Sequence, residues 1–157
     1  MVHPGHGGCR IREIQSKNYG GQTKRYYALI PTGDVGTIIW APVDGAEKIG
    51  LRDVMSQQQA DQVLRDVRDA QPDWIKDHTR RRQEYEKVLK TGSLADLGKM
   101  VKELTLQGQQ TKLNQTDQTM LPRARNRLLS EISLAKGIAF DRAANLMDQA
   151  VRQNEQP

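Results

Sequence analysis

Two groups of residues in this chain have types and spacing that suit chemistry. The first is Trp74, His78, Arg80, Arg81 and Arg82. At about 100° per residue on a helix, Trp74, His78, Arg81, Tyr85 and Val88 share one face. Arginine grips phosphate oxygens bidentately, and a flat aromatic stacks on bases or wedges between them. That combination suits nucleic acid. The alternative is a core tryptophan on a helix with a solvated basic face. The second group is His3, His6 and Cys9, evenly spaced. Imidazole and thiolate bind zinc, but a closed site needs four ligands and no fourth is evident nearby. Cys9 has no evident partner to activate it as a nucleophile. Gly5, Gly7 and Gly8 would cradle phosphate only ahead of a helix start, and none follows them. No metal, cofactor or enzymatic activity is read from this group.

The first group needs a helix to position it. Pro72 stops any helix running in from upstream, Asp73 is a natural N-cap, and Gly92 is a natural stop. The spacing predicts one helix over Pro72–Gly92, with Trp74 and Ile75 in its first turn.

The rest of the chain bounds the function. Of its 157 residues, 27% are charged and 36% hydrophobic, which favours small cores over one large one. The net charge of +5 is uneven. Residues 1–71 hold nine Lys+Arg against eight Asp+Glu, while residues 72–157 hold fifteen against eleven. The basic excess follows the predicted helix and suggests an anionic partner there. Cys9 is the single cysteine, so no internal disulfide forms. No apolar run approaches a membrane span, and the N-terminus has no signal-peptide pattern. Cytoplasmic residence is expected, without membrane association.

Strands come first. Cys9–Gln15 alternates with a slip, Lys24–Ile30 and Val35–Ala41 are rich in β-formers, and Gly20-Gly21 and Thr32-Gly33-Asp34 are turns. This is a small bent antiparallel sheet or partial barrel. In the third strand Ile38 and Trp40 face one side, Ile39 and Ala41 the other, so a small barrel leaves one pair exposed. From Ser56 the period becomes helical. Ser56 caps the first helix and Ser93 the third, Gly108–Lys112 is a polar loop, and Asn114 opens a long helix ended by Gly137. Pro122 falls inside that helix, where proline costs about 3 kcal/mol, so a bend or two segments are expected. A last helix covers about Asp141–Arg152. The order is α+β in two modules, 1–55 and 56–157.

Five blocks carry a family resemblance: PGHGGCRIREI at 4–14, YYALIPTGD at 26–34, APVDGAEKIGLRDVMS at 41–56, EKVLKTGSLADLGKMVKEL at 86–104 and TMLPRARNRLLSEISLAKGI at 119–138. In this order and spacing they resemble the CarD/CdnL family of bacterial transcription regulators, over nearly the whole chain. The resemblance implies a non-enzymatic protein, expected to be a monomer. A Tudor-like barrel, residues 1–55, would dock on the RNA polymerase β subunit. A helical domain of about five helices, residues 56–157, would grip promoter DNA at the upstream edge of the transcription bubble and stabilise the open complex. Such a protein would be nucleoid-associated. Lys17 and Trp40 match positions that face polymerase, although an arginine is usual near Trp40. The rival readings are a basic nucleoid protein without polymerase contact and a protein-only adaptor.

The chain departs from the family pattern in four places. It begins inside the usual valine-tyrosine-proline segment, here Met1-Val2-His3-Pro4, so the first strand should be almost missing. Asp34–Pro42 is slightly long, so a bulge is expected there. Pro122 replaces a helix-friendly residue. The family's wedge tryptophan, counted back from Thr91-Gly92, falls on His78. Trp74 lies one turn earlier, about 6 Å toward the N-terminus on the same helix face. We read Trp74 as the wedge, because its indole fills a disrupted base step better than imidazole does. Asp73-Trp74 also resembles the family's polar-residue-then-tryptophan opening.

Overall fold

A computed structural model describes residues 1–4, 6–32, 36–91 and 93–152. Gly5, Gly33, Asp34, Val35, Gly92 and the last five residues of the chain lie outside the described residues, and with them the Thr32-Gly33-Asp34 turn and the Gly92 helix stop.

The first third of the chain folds into an antiparallel meander, β1 (Val2–His3), β2 (Gly7–Tyr19), β3 (Gln22–Pro31) and β4 (Ile39–Pro42), in sheet order β1-β2-β3-β4. Gly20 and Gly21 both have positive φ (61° and 83°), as a two-residue hairpin turn between Tyr19 and Gln22 demands. The first strand is two residues long, as expected. It is sealed on its outer side by Arg52, whose backbone exchanges hydrogen bonds with Val2 (2.8 and 3.1 Å). Of the segment Asp34–Pro42, where a bulge was expected, Asp34 and Val35 lie outside the described residues and Ile39–Pro42 pairs without a shift; a bulge is present in β2, where the register shifts between Ile11 and Glu13. The slip in apolar alternation along Cys9–Ile14 was the sequence trace of this β2 bulge. The third predicted strand is also shorter than Val35–Ala41, because pairing with β3 begins only at Ile39. Cys9, Leu29, Ala41 and Leu51 form a small core for this module.

Among the described residues five helices follow: α1 (Gln57–Asp69), α2 (His78–Thr91), α3 (Leu94–Gln110), α4 (Gln115–Lys136) and α5 (Phe140–Arg152). The whole is α+β. Ser56 and Ser93 each close a capping box, with Gln59 and Asp96, and Asn114 Oδ1 accepts from Asp117 N. The GQQTK segment is not all loop, because α3 runs on through Gln110. Of the two outcomes expected at Pro122, a division into two segments does not occur: α4 is continuous over 22 residues. Pro122 is exposed, so water can serve the carbonyl that the missing N–H leaves free. Two further small cores fill the helical module. Met55, Ala60, Val63, Val67, Leu128 and Met147 belong to one, and Tyr85, Leu89, Met100, Leu104, Met120 and Ala124 to the other. Helix α4 contributes to both. The buried Lys102 Nζ lies 2.8–2.9 Å from the carbonyls of Val67, Arg68 and Ala70 and so caps α1, a favourable place for a cation.

Candidate nucleic-acid and polymerase interfaces

Helix α2 starts at His78, not at Asp73, which corrects the expectation that Trp74 occupies its first turn. The cap is Asp77: its Oδ1 accepts from Arg80 N and its carbonyl from Arg81 N, both at 2.9 Å. The reason is the side chain of Arg81. Its Nη1 donates to Ile75 O (2.7 Å) and Lys76 O (3.4 Å), carbonyls that would otherwise accept bonds from the next turn of a longer helix. The segment upstream is held open, with Asp73 N donating to Glu103 Oε1 at 3.1 Å.

Arg81 is the hub of this region and is only 2% exposed. Its Nε and Nη2 donate to the two oxygens of the equally buried Asp117, at 3.2 and 2.7 Å. Nη2 also donates to His78 Nδ1 at 2.8 Å. The guanidinium carries five N–H donors, and these five acceptors use them all. No donor remains for phosphate, so Arg81, expected among the DNA-contacting arginines, is turned inward. Its guanidinium carbon lies 4.3 Å from the centre of the Trp74 ring, a cation–π stack. Trp74 is half-buried, resting on the Tyr85–Met120 core.

His78 is exposed and accepts through Nδ1 from both Arg81 and Asn114 Nδ2 (3.0 Å). Two donors on Nδ1 place the ring proton on Nε2. Trp74 and His78 thus flank one guanidinium, although they do not share a helix. Arg80 and Arg82 are exposed. Arg82 makes a 4.0 Å pair with Glu86, and Arg80 makes no ion pair among the described residues. Behind the tip, Tyr85 O–H donates to Glu103 Oε2 at 2.9 Å. Burial first, then the Glu103 charge, pushes the Tyr85 hydroxyl far above its ordinary range, so it is a permanent donor.

Lys17 and Trp40, far apart in sequence, meet on the sheet: Lys17 Nζ lies 3.6 Å from the centre of the Trp40 ring. It is also 5.9 Å from that of Tyr26, which packs edge-on against Tyr19 at 6.5 Å. Trp40 in β4 and Ile38 just before it are both exposed, at 39% and 40%.

The second sequence group does not assemble a site. The His3 and His6 rings lie 4.9 Å apart, Cys9 is buried, and its thiol donates to Gly7 O at 3.5 Å. Among the described residues no cluster of three or more His, Cys, Asp or Glu is placed to hold a metal. Gly7 and Gly8 serve packing: a Cβ on Gly8 would lie 2.8 Å from Ser130 O.

Asp117, Tyr19 and Tyr26 were missed as site residues. Asp117 had a sequence signal only as the third residue after the Asn114 cap. Its reach to Arg81, 36 positions away, is a tertiary fact. Among the described residues no helix is long and apolar enough to cross a membrane.

Residues 1–55 match the family model for the CarD-like/TRCF RID domain, and residues 62–148 match that for the CarD C-terminal domain. The open four-stranded sheet is the Tudor-like form expected of the first. Together the two matches make this an RNA polymerase-interacting transcription regulator, in a family of regulators rather than enzymes. The chain belongs to the CarD family.

Proposed function

We propose that this protein lengthens the life of the promoter open complex by holding DNA at the upstream edge of the bubble while its sheet is anchored on the polymerase β subunit. Residues 1–55 make the polymerase contact through the Lys17–Trp40 face, and residues 56–157 make the DNA contact. The observation that carries this reading is the saturated Arg81 hub. It fixes Trp74 and His78 as one tip, with Arg80 and Arg82 exposed beside it.

In this account the exposed rim of Trp74 supports the disrupted base step. His78 Nε2–H donates to acceptors on the minor-groove floor, where adenine N3 and thymine O2 lie. Arg80 and Arg82 take phosphates. The mechanism is thermodynamic. A protein that binds opened DNA better than closed DNA shifts the equilibrium by that difference, and tethering to polymerase raises its effective concentration.

The test is co-purification with bacterial RNA polymerase core, followed by open-complex lifetime with and without the protein. Retention on polymerase with a longer lifetime supports the reading. Retention with an unchanged lifetime defeats it.

A further inference from the structure

We propose that α4 is the rigid coupler between the two working surfaces, and that the junction of Gly8 and Arg52 with Ser130 and Glu131 sets their separation. The proposal rests on the function just described and names the residues that position its parts.

One end of α4 holds the tip, through Asp117 and Arg81. Thirteen residues along the same unbroken helix, Ser130 Oγ accepts from the buried Gly8 N–H at 2.8 Å. At about 1.5 Å per residue, these anchors are about 20 Å apart. Helix α2 is splinted to α4 at both ends: Arg81 to Asp117 at its start, and Leu89 O to Arg127 Nη1 near its finish. The tip therefore cannot swing independently of α4.

The sheet end is equally constrained. A Cβ on Gly8 would fall 2.8 and 2.9 Å from the carbonyl oxygen and carbon of Ser130, backbone atoms that cannot step aside. Arg52, whose backbone seals β1, donates through Nη2 to Glu131 Oε1 at 2.6 Å. Glu131 is fully buried, and its Oε2 has no hydrogen-bond partner among the described residues. A half-satisfied buried carboxylate is a poor way to add stability. It is a good way to select one register, since a shifted α4 would part the carboxylate from Arg52, the cation that reaches it from the sheet side, and leave it only the charge of Arg127 on its own helix.

Two surfaces on one rod gain from each other only when both can engage at once. Disturbing the junction should leave each contact intact and abolish their cooperation. In the full-length protein, Gly8→Ala forces the sheet off α4, Arg52→Ala removes the cation, and Arg52→Lys retains it. Interdomain distance is read by energy transfer between dyes on Asn18→Cys and Gln110→Cys.

Gly8→Ala and Arg52→Ala are expected to change that distance and shorten the open complex about tenfold or more, with polymerase and duplex-DNA affinities each within about twofold of wild type. Arg52→Lys should restore the lifetime, which a loss of general stability would not predict. A changed distance with an unchanged lifetime overturns the proposal, and so does an unchanged distance in both alanine variants. Failure of the wild-type protein to lengthen the open complex would instead overturn the functional reading beneath it.

Discussion

Arg81 and Asp117 form a bidentate ion pair, 2.7 Å at its shorter contact, in which both side chains are almost wholly removed from water. The pair links the start of α2 to the first turn of α4. Its energetics differ from those of the exposed Arg82–Glu86 pair, because each charge depends on the other for lost hydration.

Removing Asp117 should therefore be severe. Breaking a buried pair from one side costs about 3–5 kcal/mol, since the stranded charge keeps its desolvation penalty. Asp117→Ala is expected to lose that much in denaturant unfolding, and Arg81→Leu with Asp117→Leu together should lose less than Asp117→Ala alone. Equal losses would mean that the pair matters only for its packing.

The three arginines should divide by burial. Arg80→Ala and Arg82→Ala should each lower the slope of log affinity against log salt by about one unit, with little sequence dependence. Arg81→Ala should act through stability and tip geometry instead. A slope unchanged in the Arg80/Arg82 double variant would return both to a solvated face.

On the sheet, Trp40→Ala and Lys17→Ala should both weaken polymerase binding, and non-additively. Their stacked geometry predicts a coupling of about 0.5–1 kcal/mol in a double-mutant cycle. Strict additivity, measured on polymerase core, would make them separate contacts.

Glu131 gives a pH signature. Burial raises its pKa above the ordinary 4.5, against the opposing pull of Arg52. In the window between the unfolded and the raised folded pKa, the native state binds more protons than the unfolded state. Stability from this group is therefore full below about pH 4.5 and falls as pH rises through the folded value. Glu131→Gln should flatten that decline in unfolding curves taken from pH 4.5 upward. A parallel decline in the variant would assign it to other groups.

Much of this was legible because local physics was decisive. Ser56, Ser93 and Asn114 cap the helices they were read to cap, and the slip at Cys9–Ile14 was a bulge seen as broken alternation. The start of α2 was misplaced because Pro72-Asp73 is a sound local signal. It was overridden by a guanidinium that captures Ile75 O and Lys76 O from within the fold. Arg81 looked like its neighbours because burial is set by α4, which no window around residue 81 contains. The meeting of Lys17 with Trp40 likewise depends on the packed sheet, although each was singled out alone.

The central claim is that the Trp74–His78 tip sustains the open complex. Its most direct test is open-complex lifetime on polymerase carrying full-length protein, with Trp74→Ala and His78→Ala made separately and each shown to fold and to bind polymerase. Stacking on a base is worth about 1–3 kcal/mol, so Trp74→Ala should shorten the lifetime about tenfold, and His78→Ala by less. Loss confined to His78→Ala would move the wedge to that residue, and undiminished lifetime in both variants would contradict the account.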